Sequence, residues 1–555
     1  MPDKTHSPAH AAQTLFNQIA PEAASIVAPF VERLFAAFAN GDTFIYISPT
    51  DSETLAQAQP IVGNDSRSPI VLHKNQLFIA RNWQLENELA KQIKRLSTNN
   101  YITQPENHTK HLREWFKLSG SEDQQAAAAL ALQENFILIS GGPGTGKTTT
   151  VAKLLGLLCQ NKTLPHIALA APTGKAAARL SEALQNAVHQ IPNLPEATAE
   201  HLNALSGQTV HRLLGLKPPQ MQPEYHAHNR LALDIVLIDE ASMLDNHLLL
   251  QLLLALPDHC RVILLGDADQ LPSVGAGAIL AALSHSKPLQ PENIAQLNAL
   301  LPERTDWHTL AQQHAKLTLS HRFGSDSGIG NLARAVGTGN ANAWQTFAQF
   351  PEELHTQPEN SVKLVKQLYQ AHKNYWQAID SGDVAAAFAE QAKLMVLTAL
   401  RDDAEQINTL YHQLLQQHRN IAPNEIWFAG QSIMIMRNAP NQNLYNGDIG
   451  IIMQPENSEN LCAWFQNGDT WRSVPLSRLP ECEPAFAITT HKSQGSEYEQ
   501  VWFVAPTQAE FSRALLYTAI TRAKKQFVYW GGESGFQAAC GNTENRRSAL
   551  KQFLA

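Results

Sequence analysis

Cysteine is scarce in this chain of 555 residues, and no two of the five, Cys159, Cys260, Cys462, Cys482 and Cys540, form a C-x-x-C pair. Scattered and odd in number, they exclude a disulfide framework and a cysteine zinc site, and they fit a reducing compartment. Long apolar runs are missing too: no stretch reaches the roughly 20 residues that a membrane-spanning helix needs. The amino-terminal stretch carries Asp3, His6, His10, Gln13, Asn17 and Glu22, so no secretory core is expected. A cytosolic protein without a membrane partner follows. Positive charge is also short, with 42 Lys and Arg against 50 Asp and Glu, a net charge of −8. That total argues against a protein that coats nucleic acid with its whole surface. It leaves room for a locally positive cleft within an acidic exterior.

Against these absences, residues 136–150 read FILISGGPGTGKTTT. Residues 136–139 are too few for a helix and suit a buried parallel strand, which runs into a glycine-rich turn and then a helix. The turn matches G-x-x-x-x-G-K-T through Gly141, Gly142, Pro143, Gly144, Thr145, Gly146, Lys147 and Thr148. Without side chains in the way, backbone N–H groups at a helix start point at a polyphosphate. Lys147 reaches the terminal phosphates, and the Thr148 hydroxyl joins the shell of a Mg²⁺ ion that keeps most of its waters. Val151, Leu154, Leu155 and Leu158 form one apolar stripe on the following helix. ATP and Mg²⁺ are the expected ligands.

At this length the chain holds roughly three or four domains. Residues 1–110 carry no chemical motif and read as a small mixed α+β domain, with extended segments at 42–48, 70–72 and 77–80 and loops at 64–68 and 97–100. Residues 111–305 alternate strands and helices, the pattern of a parallel sheet covered on both faces. Residues 167–170 are a strand that opens onto Pro172, Thr173, Gly174 and Lys175, with an alanine-rich helix ending near Arg179. A proline-rich insertion at 216–230 reads as a protruding loop. From about 306 the pattern restarts, with strands at 394–397, 485–488, 501–504 and 527–530 and no phosphate loop of its own. This second sheet domain, 306–427 and 485–555, is interrupted by short strands at 428–484 that predict a small β-barrel.

The apolar run at 231–238 delivers Asp239 and Glu240 to the carboxyl end of a central strand, where ligands of such sheets sit. Asp239 is placed to hold Mg²⁺ and Glu240 to orient and deprotonate the attacking water. A further strand at 261–265 ends in Gly266, Asp267, Ala268, Asp269 and Gln270, whose amide can both donate and accept and so can report a γ-phosphate. If nucleotide lies between two sheet domains, the second must supply positive charge for the transition state. Arg322, in Ser320-His321-Arg322-Phe323, and Arg522, in Thr518-Ala519-Ile520-Thr521-Arg522, are the candidates.

With these residues in view, the chain resembles the superfamily 1 DNA helicases and, within them, the RecD subunits of RecBCD enzymes. The resemblance covers about residues 124–525. Gln124 matches the glutamine that reads adenine, 141–148 motif I, 172–175 motif Ia, 209–211 motif Ib, 239–242 motif II and 266–272 motif III. Arg322 matches the arginine of motif IV, 490–495 motif V, and Thr521-Arg522 motif VI. The resemblance implies two RecA-like P-loop motor domains, an SH3-like barrel at 428–484 and an amino-terminal domain that docks on RecC. It adds Thr149 and Glu497 to the ATP site. It implies single-stranded DNA gripped by Thr173, Lys175, Thr209, His211, Thr490 and His491 across the tops of both motor domains. Hydroxyls and amides with few formal charges suit a grip released at every step. A weaker likeness to RecD extends through residues 77–83 and Glu86.

Motif III here lacks the tryptophan or tyrosine that follows its glutamine in 3′-to-5′ translocases, so the resemblance implies 5′-to-3′ movement. RecB and RecC are the implied partners, and double-strand break repair by homologous recombination the implied setting. No Asp-x-Lys or Glu-x-Lys occurs anywhere in the chain. A nuclease of the metal-dependent type that needs this pair is therefore expected in another subunit. Two other readings stay open: a stand-alone helicase of the same branch, and a nucleotide-gated binding switch without motor activity.

Overall fold

The computed structural model describes residues 7–555 apart from 98–104, 118, 161–162, 218–220, 274, 285–286, 325, 455–459, 469, 508 and 544–545. Parts of the loops expected at 97–100 and 216–230, and of the barrel at 428–484, thus lie outside the described residues. No helix among the described residues is long and apolar enough to cross a membrane.

Seven strands form the first sheet of the two-domain core, in the order Leu310–Ala311, His314–Leu317, Phe136–Gly141, Arg261–Gly266, Ile235–Ile238, Ile167–Ala171, Gly207–Thr209. All neighbours are parallel except the first pair. Strand residues alternate between two cores. Ile137, Ile139, Leu237 and Ile263 face one layer with Val151, Leu154 and Leu155 of the phosphate-loop helix. Phe136, Leu138, Val236 and Leu264 face the other, with Leu249 and Leu252 of the helix Asn246–Ala255. Fully covered on both sides, the sheet presents chemistry at its strand ends.

Several boundaries differ from the sequence reading. The alanine-rich helix runs Gly174–Val188, well past Arg179, because Leu180, Leu184 and Val188 continue its buried stripe. Of the apolar run 231–238, Ile235–Ile238 pair as a strand. The restart expected at 306 falls after Leu317, since Leu310–Ala311 and His314–Leu317 belong to the first sheet. These two strands are too short to stand out by periodicity, and the second is pinned by a 2.7 Å contact between Ser140 Oγ and His314 Nε2.

The second sheet of the core is wholly parallel, in the order Leu354–Gln357, Ala523–Trp530, Tyr498–Val504, Leu394–Thr398, Ala487–Thr489. Its edge strand Leu354–Gln357 carries one fully buried apolar residue, which is why sequence pattern missed it. The insertion is a five-stranded antiparallel sheet around Ile433, Ile435, Leu444, Ile452 and Phe465.

The amino-terminal module has a four-stranded sheet, Phe44–Tyr46, Gln76–Ile79, Ile70–His73, Val62–Gly63, under its helices. Its helix Ala80–Ser97 sets Leu89, Ile93 and Leu96 on the back of the seven-stranded sheet, together with Leu550 of the carboxyl-terminal tail. Glu86 is fully buried there and accepts from Thr43 Oγ1 (2.9 Å), Ser548 Oγ (2.5 Å) and Ala549 N (2.9 Å). Burial outweighs these three hydrogen bonds and pushes its carboxyl up to about 7 from an ordinary 4.5. An acid whose pKa is raised by folding stabilises the fold fully below its unfolded value and loses that contribution as pH climbs through the folded one. Relative to Glu86→Gln, wild type should therefore melt at falling temperatures as pH goes from below 4.5 to above 7. A difference independent of pH would show that Glu86 is not a buried titrating group.

Candidate active site

Gly144 and Gly146 take left-handed backbone angles of 74° and 79°. A Cβ on Gly144 would strike the Arg322 side chain, and one on Gly146 the amide of Gln124, so the loop is closed in by both neighbours. Gln124, from the helix Glu122–Gln133, donates to Thr145 O at 3.0 Å and lies 2.9 Å from His321 Nε2. The segment after Leu317 crosses over the loop: Ser320 Oγ donates to Pro143 O (2.9 Å) and His321 N to Gly144 O (2.8 Å). Lys147 folds back to give hydrogen bonds to Gly141 O (2.6 Å) and Gly142 O (3.1 Å).

Two strand ends bring carboxylates to this lysine. Asp239 follows Ile235–Ile238, and its Oδ1 accepts from Glu240 N at 2.8 Å. Burial and then the Glu240 charge raise its carboxyl to about 6, against the pull of Lys147. Glu240 sits at φ 50°, a strained conformation for a non-glycine residue. Asp267 follows Arg261–Gly266, and burial lifts it likewise to about 6. Its Oδ2 accepts from Gln270 Nε2 (3.0 Å) and from the hydroxyl of Tyr517 (3.1 Å), which arrives from the second motor domain. Gln270 is buried, and its Oε1 has no hydrogen-bond partner among the described residues.

From the other side come Arg522 and Glu497. Arg522 is 4% exposed and donates to Ser496 O (3.2 Å) and Thr518 O (3.3 Å). Glu497 accepts from Arg322 at 2.7 Å and lies 3.5 Å from Lys524. Burial alone would raise the Glu497 carboxyl, but Arg322 and then Lys524 bring it below its ordinary value. Arg322 thus differs from expectation in origin: it rests on the phosphate loop as the chain leaves the first sheet, and reaches Glu497 from there.

The phosphate loop, the strand-end acids and both arginines meet at one cavity of ≈ 310 Å³, lined by residues 143–149, Asp239, Glu240, Asp267, Gln270, Arg322, Glu497 and Arg522. Thr148 and Thr149 are on its wall; Gly141, Gly142 and Gln124 are not among its lining residues, the two glycines accepting from Lys147 and Gln124 donating to Thr145 O. Tyr517 and Arg179, a further wall residue, do not stand out in the sequence. Asp267 is accessible to the rule that finds Asp239, an acid at a strand's carboxyl end. Arg179 stands one helical turn beyond Lys175. Tyr517 gives no local signal.

The residues expected to hold DNA lie at the carboxyl ends of both sheets, in different states of exposure. Thr173 and Thr209 cap the starts of the helices Gly174–Val188 and Val210–Leu213, accepting from Ala176 N (3.2 Å) and Arg212 N (3.1 Å). His211 and His491 are exposed. Lys175 points inward, giving a hydrogen bond to Ser496 Oγ at 2.7 Å across the two motor domains, and burial lowers its ammonium to about 8. The inserted sheet closes over this rim, with the ring of Tyr445 against Gly174. Thr490 requires a correction. It is 0% exposed and its hydroxyl donates to Thr398 O (3.1 Å), so in this structure the side chain braces neighbouring strand ends instead of facing a channel.

Family comparison agrees with this geometry. An AAA domain matches residues 124–276 and a UvrD-like helicase C-terminal domain matches residues 484–528. Over 534 residues the chain is 34% identical to the RecBCD enzyme subunit RecD of Haemophilus influenzae, covering 88% of this chain and 81% of that one. The RecBCD enzyme subunit RecD of Mycobacterium tuberculosis is 32% identical over 537 residues, 94% of this chain and 87% of the relative. The ATP-dependent RecD2 DNA helicase of Deinococcus radiodurans is 29% identical over 447 residues, 78% of this chain but 52% of that longer protein. Two motor sheets around one nucleotide cavity, bearing these domains, define the class: a superfamily 1 DNA helicase, an ATP-hydrolysing enzyme. Within that class the chain belongs to the RecD family.

Proposed function

We propose that this protein moves 5′-to-3′ along single-stranded DNA at the expense of ATP, as the motor subunit of a complex with RecB and RecC chains in the bacterial cytosol. The observation that carries the reading is the shared cavity, where Lys147, Asp239, Glu240 and Gln270 of the first motor domain meet Glu497 and Arg522 of the second. Lys147 would exchange the carbonyls of Gly141 and Gly142 for phosphate oxygens, and Arg322 would exchange Glu497 for the γ-phosphate. Arg522 would complete the charge around the transition state.

The site suits Mg²⁺. Thr148 and Asp239 offer hard oxygens beside the loop, and among the described residues no cluster of three or more His, Cys, Asp or Glu forms a self-sufficient metal cage. An ion that takes one or two protein groups together with substrate phosphates fits that donor set. When bound it would neutralise phosphate charge. Glu240 would orient the attacking water and take its proton. Gln270, with its unpartnered Oε1, would sense whether the γ-phosphate is present.

Thr173, Lys175, Thr209, His211 and His491 are the proposed grip on the DNA backbone, with the inserted sheet as a wall. The missing aromatic after Gln270 supports 5′-to-3′ polarity. Alignment over 88% and 94% of this chain with two RecD subunits, at 34% and 32% identity, against 78% at 29% with the RecD2 helicase favours a subunit over a stand-alone enzyme. The likeness at residues 77–83 and Glu86 makes the amino-terminal module the proposed RecC-docking part. Cutting of DNA is assigned to another chain.

Co-expression with RecB and RecC chains, followed by ATPase assays and streptavidin displacement from oligonucleotides, tests this reading. Expected are a stable heterotrimer, strong stimulation by single-stranded DNA, and displacement from the 3′ end but not the 5′ end. A chain that translocates without retaining partners would be a stand-alone helicase. ATPase indifferent to DNA would identify a binding switch.

A further inference from the structure

Arg546 belongs to the segment that follows the second motor domain, yet its guanidinium ends at the loop that begins with Gln270. Its Nη1 donates to Ser273 O (2.6 Å) and Gly275 O (2.8 Å). The stem lies against Gly41 of the amino-terminal module, where an added Cβ would stand 2.7 Å from Arg546 Nε. Gly277 N, at the far end of the loop, donates to Gly41 O at 2.9 Å. The tail itself is bound to the amino-terminal module through Arg547 N on Asp42 Oδ1 (2.7 Å), Thr43 N on Arg547 O (2.8 Å) and the pair Ser548 and Ala549 on Glu86.

The near end of the same loop is tied to the second motor domain. Leu271 N donates to Thr518 Oγ1 (2.9 Å), and Gln494 Nε2 donates to Leu271 O (3.2 Å). Gln270 also lines a second cavity of ≈ 320 Å³, together with Asp267, Arg546 and Ser548. Gln270 therefore borders both cavities, and its Nε2 is held by Asp267 Oδ2. A cation donating to two backbone carbonyls is the stronger kind of hydrogen-bonded restraint.

We infer that Arg546 is a positioning residue for ATP hydrolysis: it holds the loop after Gln270 so that this amide faces the nucleotide, and links that placement to the seating of the amino-terminal module. The inference rests on the proposed role of Gln270 at the γ-phosphate. In a chain whose first module docks on a partner, the linkage lets docking report to the ATP site. Loosening the tail at Glu86 should then act at a distance on turnover.

The test uses the assembled complex, with steady-state ATPase at saturating single-stranded DNA for Arg546→Ala, Arg546→Lys, Glu86→Gln and Gln270→Ala. Arg546→Ala is expected to lower kcat about tenfold with KM for ATP within about twofold, the pattern of an interaction made in the transition state. Arg546→Lys, which keeps a donor and a charge, should recover most of the loss. Glu86→Gln should reproduce a smaller fall in kcat. Hydrogen exchange should quicken at residues 271, 273 and 275–277 in Arg546→Ala and stay as in wild type in the phosphate-loop helix. If Gln270→Ala lowers kcat and Arg546→Ala does not, the tail has no such role. If Gln270→Ala itself leaves kcat unchanged, the sensing role of Gln270 fails first. Should Arg546→Ala not assemble, an unchanged kcat in Glu86→Gln overturns the linkage alone.

Discussion

Replacing Arg522 by alanine should slow ATP hydrolysis in the assembled enzyme by about three to five powers of ten while leaving nucleotide binding within a few-fold, the size of effect seen for arginine fingers. The reason lies in where the guanidinium is held. At 4% exposure it sits on the cavity wall facing the phosphate loop, and its present partners are the carbonyls of Ser496 and Thr518, neutral groups that a phosphate oxygen can replace. Charge-assisted hydrogen bonds that form only in the transition state act on kcat, whereas in the proposed mechanism ground-state affinity would rest mainly on Lys147 and the loop amides. Arg522→Lys keeps the charge but loses the planar fork, so it should recover part of the rate only. Single-turnover hydrolysis alongside equilibrium binding of a fluorescent ATP analogue separates the two effects. Near-normal turnover in Arg522→Ala would remove the second motor domain from the chemistry.

Glu240→Gln should lower kcat by about two to four powers of ten, the usual contribution of a general base, with ATP bound as tightly or more so. The geometry gives the sign of the binding effect. Glu240 is the second cause, after burial, of the raised Asp239 carboxyl, so neutralising it lets Asp239 ionise at lower pH. The expected result is a stalled complex that holds ATP and DNA without turnover. Loss of binding together with rate would instead mark Glu240 as a structural residue of its strained turn at φ 50°.

What the sequence reveals and what it conceals divide along local and distant contacts. The phosphate loop with its strand and helix, and the acids at the end of Ile235–Ile238, are legible because strand, turn and helix are contiguous and each residue type follows from the ligand. Arg322 and Arg522 are legible too, but not the support of Arg322, since His314–Leu317 is too short to announce that it completes the first sheet. The burial of Thr490 depends on Thr398, 92 positions away, and no local pattern carries that contact. The same holds for the tail: Ser548 and Glu86 are 462 positions apart, and residues that look like an ordinary polar terminus fasten three parts of the chain. Asp267 is a different case. Its strand end is visible in sequence, but its carboxylate acquires a role only through Gln270 beside it and Tyr517 from the second motor domain.

Every proposed step depends on ATP drawing the two motor domains together and on hydrolysis letting them part. Fluorescent labels at exposed positions on each, Glu182 on the helix Gly174–Val188 and Ala538 on the helix Glu533–Gly541, report their separation in the assembled complex on single-stranded DNA. The expected result is a shorter separation with a non-hydrolysable ATP analogue, a return on exchange to ADP, and little change in Arg522→Ala. A separation that ignores the nucleotide in wild type would contradict the coupling.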